Sequence, residues 1–169
     1  RVVGLGYAVP GAVIVVGVLW PIGWLQARAP EAGYAAWFTG TVLALVWAYL
    51  VRFVAVALQG VQSAYARLPH SLDESARTLG QGEWAVFRRI HLPLLRRPLA
   101  VALLLVMVDT MKELPATLVL RPFNTDTLAV MAYQLARDER LAEAAVPSLA
   151  LVIVGLIPVL LIARSLRAR

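Results

Sequence analysis

Residues 146–163 read VPSLALVIVGLIPVLLIA, and this stretch decides the fold class because it contains no charged residue. A helix needs about 20 predominantly apolar residues to cross the hydrocarbon core of a bilayer. Three earlier stretches of comparable length are also apolar, at residues 2–25, 35–58 and 98–120. The sequence therefore predicts an all-α, polytopic membrane protein with four transmembrane helices.

The overall composition supports a membrane protein. Of the 169 residues, 60% are hydrophobic and 15% are charged, whereas soluble domains have about 45–50% apolar and about 25% charged residues. A soluble globule of this size could not bury so much apolar surface, which excludes disordered chains, fibres and almost every class of cytosolic enzyme. The sequence has no cysteine, which excludes disulfide frameworks, thiolate metal sites and cysteine nucleophiles.

The chain begins at Arg1 and continues directly into apolar sequence, without a charged leader segment. We therefore expect it to be a piece of a longer protein, and we treat residues 1–169 as one transmembrane domain.

The basic residues are distributed unevenly among the loops. The long loop, residues 59–97, contains six arginines and three acidic residues, and the tail after residue 163 contains three arginines and no acid. The other two loops are balanced or acidic. Because cytoplasmic loops are enriched in Lys and Arg, we predict that the long loop and the carboxyl terminus are cytoplasmic. This bias also accounts for the net charge of +6 without nucleic-acid binding, for which no motif is present. Arg52 is expected near the inner end of its span, where it can snorkel.

The long loop should contain two short helices. Ser71 and Glu74 have the spacing of a capping box, which predicts a helix over residues 72–79 with Ser71 as its N-cap. Gly80 then suits the C′ position, where a left-handed residue ends the helix. A second short helix follows, and we expect Pro93 to end it. On these grounds alone, the pair could simply lie on the membrane surface and tether two spans.

The residues of these helices resemble the "EAA…G…I-x-LP" signature of permease subunits of binding-protein-dependent ATP-binding-cassette importers. Ser75 departs from the pattern, because an alanine is usual at that position, but it is small and compatible with a helix. The positions that carry the resemblance are Glu74, Ser75, Ala76, Gly80, Ile90, Leu92 and Pro93.

The resemblance implies that the long loop is a coupling loop, whose helix docks on a separate ATPase subunit. ATP and magnesium would then be bound by that partner, so that this chain needs no cofactor and is not an enzyme. In such a role Gly80 would permit close approach of the backbone, and Glu74 would meet a basic residue of the partner. Other implied partners are a periplasmic or extracellular solute-binding protein and a second permease half, fused or separate, within the lipid bilayer.

Three further segments resemble the ferric-iron branch of these permeases, at residues 6–12, 109–118 and 120–129. The resemblance implies that the chain forms the last four spans of a six-span permease half, at the end of a second half, and that ferric iron is the cargo. The same permease role for thiamine, a polyamine, sulfate or a phosphonate remains an alternative. An intramembrane enzyme is a further one, but the chain has no His-Glu-x-x-His or Gly-x-Ser-x-Gly motif.

Three charged residues lie within the third apolar stretch. Asp109, Lys112 and Glu113 have the i, i+3, i+4 spacing that places side chains on one helix face. Ionisable groups at such depth often mark a pathway, so we consider them a candidate outer gate or translocation path for a cation. The alternative is a structural ion pair between Asp109 and Lys112 that holds this helix against a neighbour. We expect no metal site from the two histidines, His70 and His91, because neither has a clear partner ligand.

Overall fold

The structure is a computed structural model that describes residues 4–167. Val2 and Val3, at the start of the first predicted span, and Arg169, in the basic tail, lie outside the described residues. The described residues are mostly helical and include no strand. Its helices are α1 (Leu5–Ala8), α2 (Gly11–Arg28), α3 (Tyr34–Thr39), α4 (Leu43–Tyr65), α5 (Ser71–Thr78), α6 (Glu83–Val86), α7 (Leu92–Met111), α8 (Pro115–Leu120), α9 (Leu128–Arg137) and α10 (Leu141–Arg167).

Four helical stretches are long and apolar enough to cross a membrane. They are Gly11–Arg28, Leu43–Tyr65, Glu83–Met111 and Leu141–Leu161. Many of their large apolar side chains are exposed on the surface of the described chain, as Val146 and Leu149 are on α10. Such extensive apolar exposure fits contact with lipid or with further spans. The predicted polytopic all-α fold with four membrane-spanning helices is therefore confirmed.

The boundaries of the first two spans differ from the prediction. The first long helix begins only at Gly11, because Pro10 is extended and separates it from the short α1. The second long helix begins at Leu43 and not at residue 35, since α3 ends at Thr39 and Gly40 follows it as the C-cap. This shift places Arg52 near the middle of α4, so its predicted position at the inner end of the span was wrong.

Pro93 does not end a helix, contrary to our prediction. Residues Glu83–Met111 form one continuous helical stretch in which a π-turn, Phe87–His91, joins α6 to α7. In this wider turn the N–H of Leu92 donates to the carbonyl of Phe87, five residues earlier. A proline in an ordinary helix interior removes one hydrogen bond and clashes with a carbonyl four residues earlier. Here Pro93 lies in the first turn of α7, directly after the π-turn, where its missing N–H is tolerated.

The third span also ends earlier than predicted. Helix α7 stops at Met111, and Pro115 begins the separate α8, so residues 112–120 do not continue the long helix. The chain then forms α9 and returns through α10, the two helices packing as a hairpin. Together with the later end of α4, the continuous helix reduces the predicted long loop to residues 66–82.

The core lies where α2, α4 and α8 meet. Small residues let the helices approach closely, and branched side chains fill the space between them. The buried cluster consists of Ile14, Val15, Ala44, Leu45, Ala48, Ala116 and Leu120. A hydrogen bond of 2.5 Å between the hydroxyls of Tyr49 and Thr117 adds a polar link between α4 and α8. This packing holds α8, and hence the residues immediately before it, against the first two long helices.

Candidate functional site

Helix α5 ends as the sequence predicts but begins differently. Gly80 has φ +73°, its N–H donates to the carbonyl of Arg77, and the N–H of Gln81 donates to that of Ala76. These two bonds form a Schellman motif, which fixes the end of the helix. At the other end, Ser71 is the first helical residue, His70 is the N-cap, and no side chain caps the helix. The predicted capping box was therefore wrong.

The residues of the signature-like string occupy two kinds of position. Glu74, Ser75 and Gly80 are exposed on α5 and its end, whereas Ala76 is buried at 4% exposure. Leu92 and Pro93 are also exposed, and Ile90 is half-buried in the π-turn. Thus the small Ala76 is the buried residue of α5, and Glu74 and the terminating Gly80 are exposed.

An apolar surface lies beside these exposed residues. Leu79 is 77% exposed and Trp84 is 72% exposed. The ring of Trp84 stacks on that of Phe87 with centroids 5.6 Å apart. Large exposed apolar side chains, aromatic ones among them, have the composition of a protein-binding surface.

The charged cluster in the third apolar stretch separates into two sites. Asp109 lies in the last turn of α7 and forms a 2.8 Å ion pair with Lys112, whose side chain is largely exposed. The hydroxyl of Tyr7, on α1, lies 3.5 Å from the other carboxylate oxygen of Asp109. The Asp109–Lys112 pair therefore exists, but it joins neighbouring turns of one segment, and among residues 4–167 only Tyr7 links it to another helix by a hydrogen bond.

Glu113 does not share a face with Asp109 and Lys112, because α7 ends at Met111. Instead, Glu113 is buried and pairs with Arg52 of α4, with Nε of Arg52 lying 3.1 Å from Oε2 of Glu113. The N–H at Nε is not directed at that oxygen, so the contact is mainly one of charge. The prediction that the three residues lie on one helix face is thus wrong for Glu113, and their role in a gate or translocation path stays a prediction.

Other groups complete the surroundings of the Arg52–Glu113 pair. Nη1 of Arg52 donates to the carbonyl of Val9, at 2.9 Å. The backbone N–H of Ala116 donates to Oε1 of Glu113 at 3.3 Å. A Cβ at Gly11 would collide with that same oxygen and lie 3.3 Å from Nη1 of Arg52. The start of α2, the middle of α4 and the start of α8 thus meet around one buried ion pair.

Sequence reasoning missed both Arg52 as the partner of Glu113 and the role of Gly11. One signal was available, because Arg52 is the one charged residue of the second apolar stretch and opposite charges within a membrane usually pair. Across residues 4–167, no three His, Cys, Asp or Glu side chains are grouped so that they could hold a metal ion.

Comparison with known proteins identifies the family. Residues 1–169 match the family model described as a binding-protein-dependent transport system inner membrane component. The chain belongs to this family. Its members are permease subunits, which are transport components and not enzymes, in agreement with the expectation from sequence. The permease chain is accordingly a multi-pass membrane protein.

Individual relatives of this permease differ in the solute they are named for. The Fe(3+)-transport system permease protein FbpB 2 of Haemophilus influenzae is 28% identical over 156 residues, which cover 92% of this chain and 29% of the relative. The putative 2-aminoethylphosphonate transport system permease protein PhnV of Salmonella typhimurium is 30% identical over 118 residues, covering 70% of this chain and 44% of the relative. The matched part of the chain therefore covers less than half the length of either relative. No solved structure gives a significant match.

Proposed function

We propose that this chain forms part of the translocation path of an ATP-driven importer and couples it to a separate ATPase subunit, with ferric iron as the cargo. The solute would be delivered by a periplasmic or extracellular binding protein, and a second permease half, fused or separate, would complete the path. The long-loop end and the carboxyl terminus would face the cytoplasm of a bacterial inner membrane. ATP and magnesium would be bound by the ATPase.

The exposed surface of α5 carries the coupling part of this proposal. Glu74 and Gly80 are exposed, as are the apolar side chains of Leu79 and Trp84, whereas Ala76 is buried. A partner could thus contact α5 without disturbing the spans, and α5 could transmit the partner's motion as a rigid body. The likeness to the iron permease of Haemophilus influenzae, over 92% of the chain, supports the choice of cargo.

The test measures ATPase binding and uptake of labelled ferric ion together. The full-length permease, its ATPase and its binding protein are reconstituted in vesicles. Glu74→Arg reverses the charge of the exposed carboxylate on α5 and should abolish both co-purification of the ATPase and ATP-dependent uptake. Glu31→Arg is the matched control, since Glu31 is equally exposed but lies in the opposite loop, and it should leave ATPase binding unchanged. Retention of the ATPase by the Glu74→Arg protein would contradict the coupling proposal.

A phosphonate is the second candidate cargo, because the PhnV relative matches 70% of this chain at 30% identity. The same vesicles distinguish the two solutes. ATP-dependent uptake of 2-aminoethylphosphonate without uptake of ferric ion would retain the permease role and exclude iron.

Asp109, Lys112 and Glu113 remain the candidate gate or translocation path, in which the carboxylate of Asp109 would contact the cation. Carboxylate oxygens are hard ligands suited to a ferric ion, and the neighbouring hydroxyl of Tyr7 adds another oxygen. Asp109→Asn should abolish uptake while the amount of folded permease in the membrane stays normal. Loss of the protein from the membrane would instead assign the Asp109–Lys112 pair a structural role.

A further inference from the structure

His91 occupies the unspecified position of the string Ile90-His91-Leu92-Pro93, and it is the buried member of that string at 7% exposure. Its Nδ1 lies 2.9 Å from the hydroxyl of Tyr65, and its Nε2 lies 2.7 Å from Oδ1 of Asp73. Tyr65 is the last residue of α4, Asp73 is in α5, and His91 ends the π-turn that leads into α7. One imidazole therefore joins three helical elements.

The chemistry of the ring makes both contacts directional. An ionised carboxylate can only accept, so Nε2 of His91 donates to Asp73. In the neutral ring Nδ1 then accepts from the hydroxyl of Tyr65, and in the protonated ring it donates to that oxygen. The rings of Tyr65 and His91 also meet edge to face, with centroids 5.1 Å apart. The position of His91 is thus fixed from two sides.

Helix α5 has few other attachments to the described spans. Most of its side chains are exposed, Ala76 is its buried residue, and it shares no extensive packing surface with another described helix. A second polar contact, from Nη1 of Arg89 to Oε1 of Gln81 at 3.2 Å, lies beyond the carboxyl end of α5. The Asp73–His91 bond is therefore the one side-chain hydrogen bond within residues 4–167 that ties α5 itself to the long helices.

We infer that His91 is a positioning residue that transmits a displacement of α5 to α4 and α7 at the same time. The inference rests on the proposed coupling function. When an ATPase moves α5, the Asp73–His91–Tyr65 chain would carry that movement to the start of one span and the end of another. Without the chain, α5 could move with the ATPase and the spans would follow less closely.

The first test compares solute transported per ATP hydrolysed in reconstituted vesicles that contain the full-length permease, ATPase and binding protein. His91→Phe keeps a ring but removes both hydrogen bonds. We expect the ATPase to remain bound and active, and uptake of labelled ferric ion per ATP to fall roughly three- to tenfold, the factor that corresponds to loss of a buried hydrogen bond. His70→Phe is the matched control, because His70 is exposed in the same part of the chain, and its ratio should not change.

The second test is independent of the cargo. Spin labels at Ser75 and Gln62, both exposed, report the distance between α5 and α4, and the chain has no native cysteine to interfere. The distance distribution should be narrow in the parent protein and in His70→Phe, and broad in His91→Phe. If His91→Phe does not accumulate, Tyr65→Phe and Asp73→Asn test the same chain with smaller changes.

These experiments distinguish the role of His91 from the proposed coupling to an ATPase. An unchanged transport ratio with an unchanged distance distribution in His91→Phe would overturn the role of His91. Loss of the ATPase from His91→Phe would also overturn it, because His91 would then serve assembly and not transmission. Failure of the unmodified permease to bind an ATPase would contradict the proposed function itself.

Discussion

The molecule contains two polar clusters that join helices, and they differ in burial and in what surrounds them. At the α8 end of the bundle, the Arg52–Glu113 ion pair is enclosed by the start of α2, by α4 and by α8. At the α5 end, His91 joins Tyr65 to Asp73, whose side chain is about one-third exposed. The Arg52–Glu113 cluster joins three helices that pack against one another. The His91 cluster holds α5, a short helix whose other side chains are mostly exposed. Substitutions at the α8 end should therefore lower the stability of the whole bundle, whereas substitutions at the α5 end should act mainly on α5.

The largest loss of stability should come from removing one partner of the buried Arg52–Glu113 ion pair. Arg52→Leu leaves the carboxylate of Glu113 buried without its partner, which typically costs about 3–5 kcal/mol. The double variant Arg52→Leu/Glu113→Leu removes both charges and should recover a large part of that loss. The measurement is thermal unfolding of the purified protein in detergent.

An exposed ion pair gives the control for this prediction. Arg137 and Asp138 lie 3.6 Å apart with both side chains more than half exposed, so Arg137→Ala should cost less than about 1 kcal/mol. A double variant less stable than either single leucine variant would show that the Arg52–Glu113 pair does not act as a unit.

A smaller loss of stability should come from adding one carbon atom beside the Arg52–Glu113 pair. Gly11→Ala places a Cβ against Oε1 of Glu113, and overpacking of this kind costs about 1–3 kcal/mol. Gly17, on the same helix, has nothing within 4 Å of its own Cβ position. Gly17→Ala should therefore be neutral or stabilise α2 by up to about 1 kcal/mol. Equal unfolding temperatures for the two variants would contradict the close approach at Gly11.

The smallest effect should appear at the end of α5. Gly80→Ala puts a side chain into a left-handed conformation, at a cost of about 1–2 kcal/mol, and should loosen the bond from Gln81 N–H to Ala76. Gly82 is exposed with φ −73°, so Gly82→Ala should cause no such strain. Amide hydrogen exchange at Gln81 should accelerate in the Gly80→Ala variant only. Because the strain is confined to α5, the unfolding temperature of the bundle should not change.

Structural features that depend only on residues close together in the sequence could be predicted. The uncharged run in α10 and the glycine that ends α5 are both local patterns, and both are confirmed. Arg52 and Glu113 are far apart in the chain, so the lone charge of Arg52 indicated a partner of opposite charge, but only packing could show which residue it is. The helix end predicted at Pro93 was wrong because a π-turn makes room for the proline, and hydrophobic spacing carries no signal for that turn. The roles of Glu74 and Gly80 at a partner surface stay predictions.

The π-turn at Phe87–His91 also determines the direction in which the side chain of Trp84 points. Such a turn contains one more residue than an α-helical turn, and one residue corresponds to about 100° of rotation around a helix axis. Trp84 therefore points to a different side of the bundle than it would if α6 continued α7 without interruption. Deletion of one residue from this turn would leave the chain helical but would swing the indole of Trp84 away from the side on which it now lies.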